Sequence, residues 1–275
     1  NENKELKPLD NDLRELFKSW FNPGFLKLAK ITWDTKAAVL EKIIQYERVH
    51  KIKDMNELKR RLGEDRRFFS YFHPALDDEP IIFVQVALTN GLGKSIQEIM
   101  KPSAEGAKKY DTATFYSISN CQEGLSRVTL GNFLIKRVVY EIQEELPNIK
   151  NFGTLSPIPG FRDWFTTLDE KIIQNILGKI PYNNVSFLKS SDLKVGDGRI
   201  VSNKQAIIKL VAHYLMNEKN KKGLPINDVC RFHLGNGAII DDININANVS
   251  EVGLNRSFGV MVNYLYELKN IEKNH

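Results

Sequence analysis

The chain predicts an α+β fold, a sheet flanked by helices behind a short helical lead-in, on three observations. Apolar residues recur at helix spacing between Asp10 and Arg61: Leu13, Leu16 and Phe17, then Ala37, Leu40, Ile43 and Ile44 after the break at Asn22-Pro23-Gly24. Two short β-branched and aromatic runs, Ile81 to Leu88 and Thr112 to Ser119, are bounded by turn residues and read as strands. The second runs on through a polar loop, Asn120 to Thr129, into a helical stripe of Phe133, Leu134, Val138, Ile142 and Leu146. On this reading residues 1–62 form the lead-in and residues 63–275 the main domain.

The remaining elements follow in order. Arg60-Arg61 and Arg66-Arg67, with Phe68, Phe69, Tyr71 and Phe72, read as a compact, partly basic connector ending in a turn over His73 to Pro80. Ile81 to Leu88 carries no alternation and is expected mid-sheet. Leu92 to Tyr110 is polar and broken by Lys101-Pro102 and Glu105-Gly106, and is expected as an exposed excursion. Asn151 to Leu155 and Ile239 to Ile245 are further strands, and Leu168 to Leu177 and Lys204 to Asn217 further helices. Phe258 to Tyr266 closes the chain as strand or helix, with Tyr264 and Tyr266 on one face if extended.

Composition narrows the function. Of 275 residues, 39 are Lys or Arg and 34 Asp or Glu, a net charge of +5. That is too mild to argue for nucleic acid and suits an anionic small ligand. The Arg60 to Arg67 cluster reads as a solvated face. Cys121 and Cys230 lack metal-ligand spacing, so neither a metal site nor a disulfide framework is expected. No apolar run is long enough to span a bilayer, and Asn1 to Leu6 is no secretory signal. The expectation is a soluble intracellular protein, cytoplasmic or mitochondrial, without a peroxisomal C-terminal signal in Glu272 to His275.

Candidate chemistry gathers in four places. The loop and helix start from Cys121 to Asn132 suit a pyrophosphate, because a helix N-terminus offers unpaired N–H groups; a plain connection with Gly124 in a turn is the alternative. Ser156 ends an apolar strand and is followed by Pro157 and Pro159, which hold the backbone. No Gly-x-Ser-x-Gly elbow surrounds it, so an orienting role fits better than a hydrolase nucleophile, with a turn cap as the other choice. His233, before the turn Gly235-Asn236-Gly237, is either an acid facing a cleft or a satisfied core residue. Tyr264 and Tyr266 either reach that cleft or complete the core.

Four blocks in order, Phe115 to Asn120, Leu130 to Val139, Leu155 to Phe161 and Phe232 to Ala238, resemble the malonyl-CoA decarboxylase family, and the similarity extends to Trp20 to Leu26, Thr32-Trp33 and Asn263 to Tyr266. Family members carry a longer helical domain ahead of this point. The resemblance implies an acetyltransferase-like (GNAT-type) fold with a mixed, twisted sheet that splays to admit the pantetheine arm. It implies malonyl-CoA as partner, with coenzyme A part of the substrate and no separate cofactor, and a possible homo-oligomer. By the same resemblance Ser156 is the catalytic serine and His233 the proton donor. Ser117, Asn236, Tyr266 and the segment Ser126, Arg127, Val128, Thr129, Leu130, Gly131 and Asn132 bind substrate or coenzyme. Thr129 replaces the glutamate typical of the family, which raises the alternative of a catalytically impaired acyl-CoA binder. An acyltransferase of the same fold is a third reading.

The reaction so implied leaves an enolate that must be stabilised and then protonated. Ser156 is expected to hydrogen-bond the carboxylate or thioester and set the breaking bond perpendicular to the carbonyl plane. His233, with an ordinary pKa near 6.5, is expected to supply the proton.

Overall fold

The structure, a computed structural model, describes residues 6–101, 110–125, 131–182, 185–189, 193–194 and 196–269. Its elements are, in order, α1 (Lys7–Trp20), β1 (Lys27–Lys30), α2 (Ala37–Tyr46), α3 (Met55–Arg61), β2 (Arg66–Phe72), β3 (Pro80–Thr89), α4 (Ile96–Met100), β4 (Thr112–Asn120) and α5 (Gly131–Glu145). Then follow β5 (Asn151–Thr154), β6 (Ser156–Pro157), α6 (Phe161–Thr167), α7 (Glu170–Leu177), α8 (Gly198–Ser202), α9 (Lys204–Met216), α10 (Asp228–Gly235), β7 (Ile239–Asn244), α11 (Glu251–Ser257) and β8 (Met261–Leu265). Two compact units emerge, the first Asn1–Leu88 with Pro102–Lys150, the second Thr89–Lys101 with Asn151–His275.

In the first unit the strand order is β1-β2-β3-β4, with β1 and β3 both antiparallel to β2. The aromatic stretch expected as a connector is strand β2. Adjacent Phe68 and Phe69 hide the period of two, and both are buried, so the strand is covered on both faces. Likewise Lys27–Lys30, inside the expected lead-in, is a strand. It holds only two apolar residues, adjacent Leu28 and Ala29, both half-buried, while the buried Leu26 and Ile31 lie just outside it, so four residues carry no alternation.

Val39, Leu40 and Ile43 of α2 join Leu58, Phe68 and Phe83 in a common core. Their spacing puts one face of the helix inward. Glu47, just past α2, is also buried at 3% exposure. Its carboxylate accepts from Ser117 Oγ at 2.7 Å, Ser119 Oγ at 3.2 Å, Gln85 Nε2, and the backbone N–H groups of Val49 and His50. Gln85 Oε1 in turn accepts from the Tyr116 hydroxyl at 3.0 Å and from Arg61. A buried carboxylate is tolerable when this many donors replace its water.

In the second unit β8 is hydrogen-bonded on both sides. One neighbour is β7, antiparallel, with a bulge between Ile240 and Asp242. The other is the run of β5 and β6. Gly153 faces Leu265, Ser156 faces Val262 and Pro157 faces Met261, so β5 and β6 are one antiparallel ladder in constant register, interrupted at Leu155. The closing segment is thus a strand. Gly153 is required there: a Cβ would lie 2.9 Å from the Tyr264 carbonyl oxygen and 2.5 Å from Leu92 Cδ2.

The stretch expected as an exposed excursion contains α4, whose Ile96 and Ile99 are buried. The Ile96 N–H donates to Ala247 O at 2.7 Å, so backbone pairing and two apolar anchors outweigh the polar composition. Asn263 Nδ2 ties β8 to Gly93 O at 2.9 Å and Thr154 O at 2.7 Å, while its Oδ1 accepts from Asn244 of β7. Among the described residues no helix is long and apolar enough to cross a membrane.

Candidate active site

The register of the β5, β6 and β8 ladder builds one face of the site. Opposed and alternate residues of an antiparallel ladder share a face. Thr154 and Ser156 on one side and Tyr264 and Tyr266 on the other therefore project together. The alignment is visible in the Tyr264 N–H bound to Thr154 Oγ1 at 3.2 Å and the Tyr266 N–H bound to Phe152 O at 2.8 Å.

Helix α10 supplies the histidine. Asn227 caps it, its Oδ1 accepting the Cys230 N–H at 2.8 Å, and Cys230 and His233, three apart, turn the same buried face. His233 Nε2 lies 3.1 Å from Ser156 Oγ, and Nδ1 lies 2.8 Å from the Tyr266 hydroxyl. The imidazole stacks on the Tyr264 ring, centroids 4.5 Å apart and planes at 26°. Ser156 Oγ also donates to Thr154 Oγ1 at 2.8 Å. Thr154, Ser156, His233 and Tyr266 thus form one hydrogen-bonded chain of side chains.

Burial dominates the electrostatics. His233 is 3% exposed. Removal from water disfavours its charged form and pushes its pKa down to about 3, which corrects the near-neutral value expected from sequence. The imidazole is neutral at neutral pH. Burial raises the Tyr264 and Tyr266 phenols well above the ordinary value, so both keep their protons.

The serine's backbone is held from two sides. Pro159 O accepts from Asn227 Nδ2 at 2.8 Å and from the Tyr214 hydroxyl at 3.2 Å. Gly160 follows at φ +77°, where a Cβ would also meet the Tyr214 oxygen at 2.9 Å. Asn236, at the end of α10, donates from Nδ2 to Phe232 O at 2.7 Å, and its buried Oδ1 has no hydrogen-bond partner among the described residues. That oxygen is an available acceptor.

The structure therefore brings Ser156, His233 and Tyr266 together and sets Asn236 at the end of the same helix. Ser117 lies on β4 in the first unit, its hydroxyl bound to Glu47. Ser126, Arg127, Val128, Thr129 and Leu130 lie outside the described residues; Gly131 and Asn132 open α5, their side chains undescribed. Thr154 and Asn227 were not foreseen. The sequence carries only weak local signals for them, the alternation of Thr154 with Ser156 and the cap pattern Asn227-Asp228. Among the described residues no three His, Cys, Asp or Glu side chains converge as metal ligands.

Residues 24–275 match the family described as malonyl-CoA decarboxylase C-terminal domain. The chain belongs to the malonyl-CoA decarboxylase family. It is 38% identical over 291 residues to the mitochondrial malonyl-CoA decarboxylase of Anser anser anser, covering 98% of this chain but 58% of that protein. It spans, then, a little over half the length of that relative. The crystal structure of malonyl-CoA decarboxylase from Rhodopseudomonas palustris is similar at a TM-score of 0.88 and 43% identity, over 99% of this chain and 67% of that one. The loading GNATL domain of CurA from Lyngbya majuscula shares the fold alone, at a TM-score of 0.55 and 12% identity over 90% of this chain and 99% of that one. The acetyltransferase-like fold expected for this malonyl-CoA decarboxylase family member is borne out.

Proposed function

We propose that the chain is a carboxy-lyase that converts malonyl-CoA to acetyl-CoA and carbon dioxide, with coenzyme A carried by the substrate and no separate cofactor. The observation that carries this reading is the buried contact of Ser156 Oγ with His233 Nε2 at 3.1 Å, in a member of this family. The curated relatives, named as mitochondrial, favour a mitochondrial setting for the same activity.

Loss of carbon dioxide leaves the electron pair of the breaking C–C bond on the α-carbon, delocalised into the thioester carbonyl. With substrate bound, Ser156 turns its hydroxyl proton from Thr154 to the malonyl group and holds the departing carboxylate out of the carbonyl plane, the orientation that permits delocalisation. His233 supplies the proton. Its resting neutrality suits this role, because a malonyl carboxylate placed beside it brings the opposite charge that raises its proton affinity. A carboxylate at about 4 Å in a partly screened site contributes about 4 kcal/mol, enough to lift a pKa by about three units, back toward neutrality. When the carboxylate leaves as neutral carbon dioxide, the proton passes to the carbanion and both charges disappear together. Tyr266 serves either state, since a phenol accepts from an imidazolium Nδ1–H or donates to a bare Nδ1.

Incubation with malonyl-CoA, following acetyl-CoA, tests the reading. Wild-type turnover that falls about 10²- to 10⁴-fold in His233→Ala, with malonyl-CoA binding retained, is expected. Absence of acetyl-CoA from wild-type protein that binds malonyl-CoA overturns it.

A further inference from the structure

We infer that Thr154 is a positioning residue that fixes the tautomer of His233 through Ser156, and so makes the pair a proton donor to substrate rather than a nucleophile with its base. The inference deepens the decarboxylase reading and rests on it for its chemical consequence. Its geometry is independent of it.

The Thr154 oxygen is pinned first. It accepts the backbone N–H of Tyr264 across the ladder at 3.2 Å and is 1% exposed. Ser156 Oγ donates to the same oxygen at 2.8 Å. A serine hydroxyl has one proton. With that proton on Thr154, none remains for His233, and the 3.1 Å contact of Oγ with Nε2 is a hydrogen bond only if Nε2 carries the hydrogen. In a neutral imidazole Nδ1 is then bare, and the Tyr266 hydroxyl at 2.8 Å donates to it. All three protons point the same way, from Tyr266 through His233 and Ser156 to Thr154.

A serine nucleophile needs the reverse polarity. There the serine O–H donates to a bare Nε2, which takes the proton as the oxygen attacks, and Nδ1–H is held by an acceptor. Thr154 opposes that arrangement by holding the serine proton on the far side. What Ser156 presents toward His233 is a lone pair, and what His233 presents is an N–H. The same serine and histidine side chains are thereby set for proton delivery to a carbanion and against attack on the thioester carbonyl.

The test is the imidazole tautomer of His233 in the ¹⁵N-labelled full chain, read from long-range ¹H–¹⁵N correlations, with Thr154→Val and Thr154→Ser as comparisons. Valine keeps the shape without the hydroxyl and serine keeps the hydroxyl. Nε2–H is expected in the wild type, and a shift toward Nδ1–H in Thr154→Val. In that variant kcat for acetyl-CoA formation should fall about tenfold or more with KM little changed, and Thr154→Ser should restore both tautomer and kcat. Nδ1–H in the wild type overturns the inference, as does a folded Thr154→Val with the wild-type tautomer or the wild-type kcat. Should valine prevent folding, the wild-type and serine spectra decide. The spectra need no substrate, so a wild-type chain that makes no acetyl-CoA defeats the decarboxylase reading and leaves the tautomer to be judged by itself.

Discussion

The side-chain amide of Asn227 joins the helix that carries His233 to the segment that carries Ser156: its Oδ1 caps α10 and its Nδ2 donates to the Pro159 carbonyl at 2.8 Å. Replacing it with Ala removes both attachments and should cost about 1–2 kcal/mol through the lost cap alone. Turnover should fall further, since misplacement on the order of 1 Å in a reacting array costs about a hundredfold. Asn227→Asp keeps the capping oxygen but sets an acceptor against the Pro159 carbonyl in a buried site, so stability should fall by about 1–3 kcal/mol and turnover should drop with it. Thermal unfolding beside acetyl-CoA formation separates the two; wild-type turnover in the Asp variant would mean that the Pro159 attachment positions nothing.

The depressed His233 pKa has a stability consequence of definite sign. Its folded value, about 3, lies below the unfolded value near 6.5, so between them the unfolded chain holds the extra proton. The histidine costs nothing above about pH 6.5 and destabilises progressively as pH falls toward 3, by a little over 1 kcal/mol for each unit. Urea titrations from pH 7 to 4 should give a shallower loss of stability in His233→Gln than in wild type. Parallel curves would show that this imidazole is not held neutral.

Substrate binding should reverse that depression. Calorimetry with an inert malonyl-CoA analogue at pH 7, in buffers of different ionisation enthalpy, should show net proton uptake by the wild type and none by His233→Ala. Equal uptake in both would assign the proton elsewhere and remove the imidazolium from the proposed reaction.

Glu47 offers a test within the first unit. Glu47→Gln replaces one acceptor oxygen by a donor among groups that already donate, including Ser117 and the N–H groups of Val49 and His50. A loss of about 3 kcal/mol is expected by chemical denaturation, and a smaller loss, about 1–2 kcal/mol, in Ser117→Ala. A Glu47→Gln protein as stable as wild type would argue that the buried network contributes little.

Much of this was readable in the chain, and the misses have physical causes. Ile81 to Leu88 and Lys204 to Asn217 became β3 and α9 with small changes at the ends, because burial on both faces or one helical stripe leaves a strong pattern. β2 was obscured by paired aromatics beside Arg66 and Arg67, although Arg66 is itself buried against Asp65. At the site, alternation put Tyr264 and Tyr266 on one face and left open whether they reach a cleft or complete the core; both meet His233. Thr154 and Asn227 stayed hidden because a lone threonine in a strand and a helix cap look ordinary locally; their importance comes from partners 110 and 68 residues away. The His233 pKa was missed because burial belongs to the assembled unit, not to the turn sequence around the residue.

The constant register of β5 and β6 along β8 also limits how this site can vary. One residue inserted between Phe152 and Ser156, with the pairing of β5 kept, would not merely move the serine along the strand; it would turn the serine to the opposite side of the sheet, away from His233. Spacing there behaves as a switch with two positions, only one of which works. Diversification of this site can therefore proceed by exchanging side chains, whereas insertions and deletions belong to stretches such as the turn from Asn217 to Ile226, where an extra residue leaves that ladder's pairing intact.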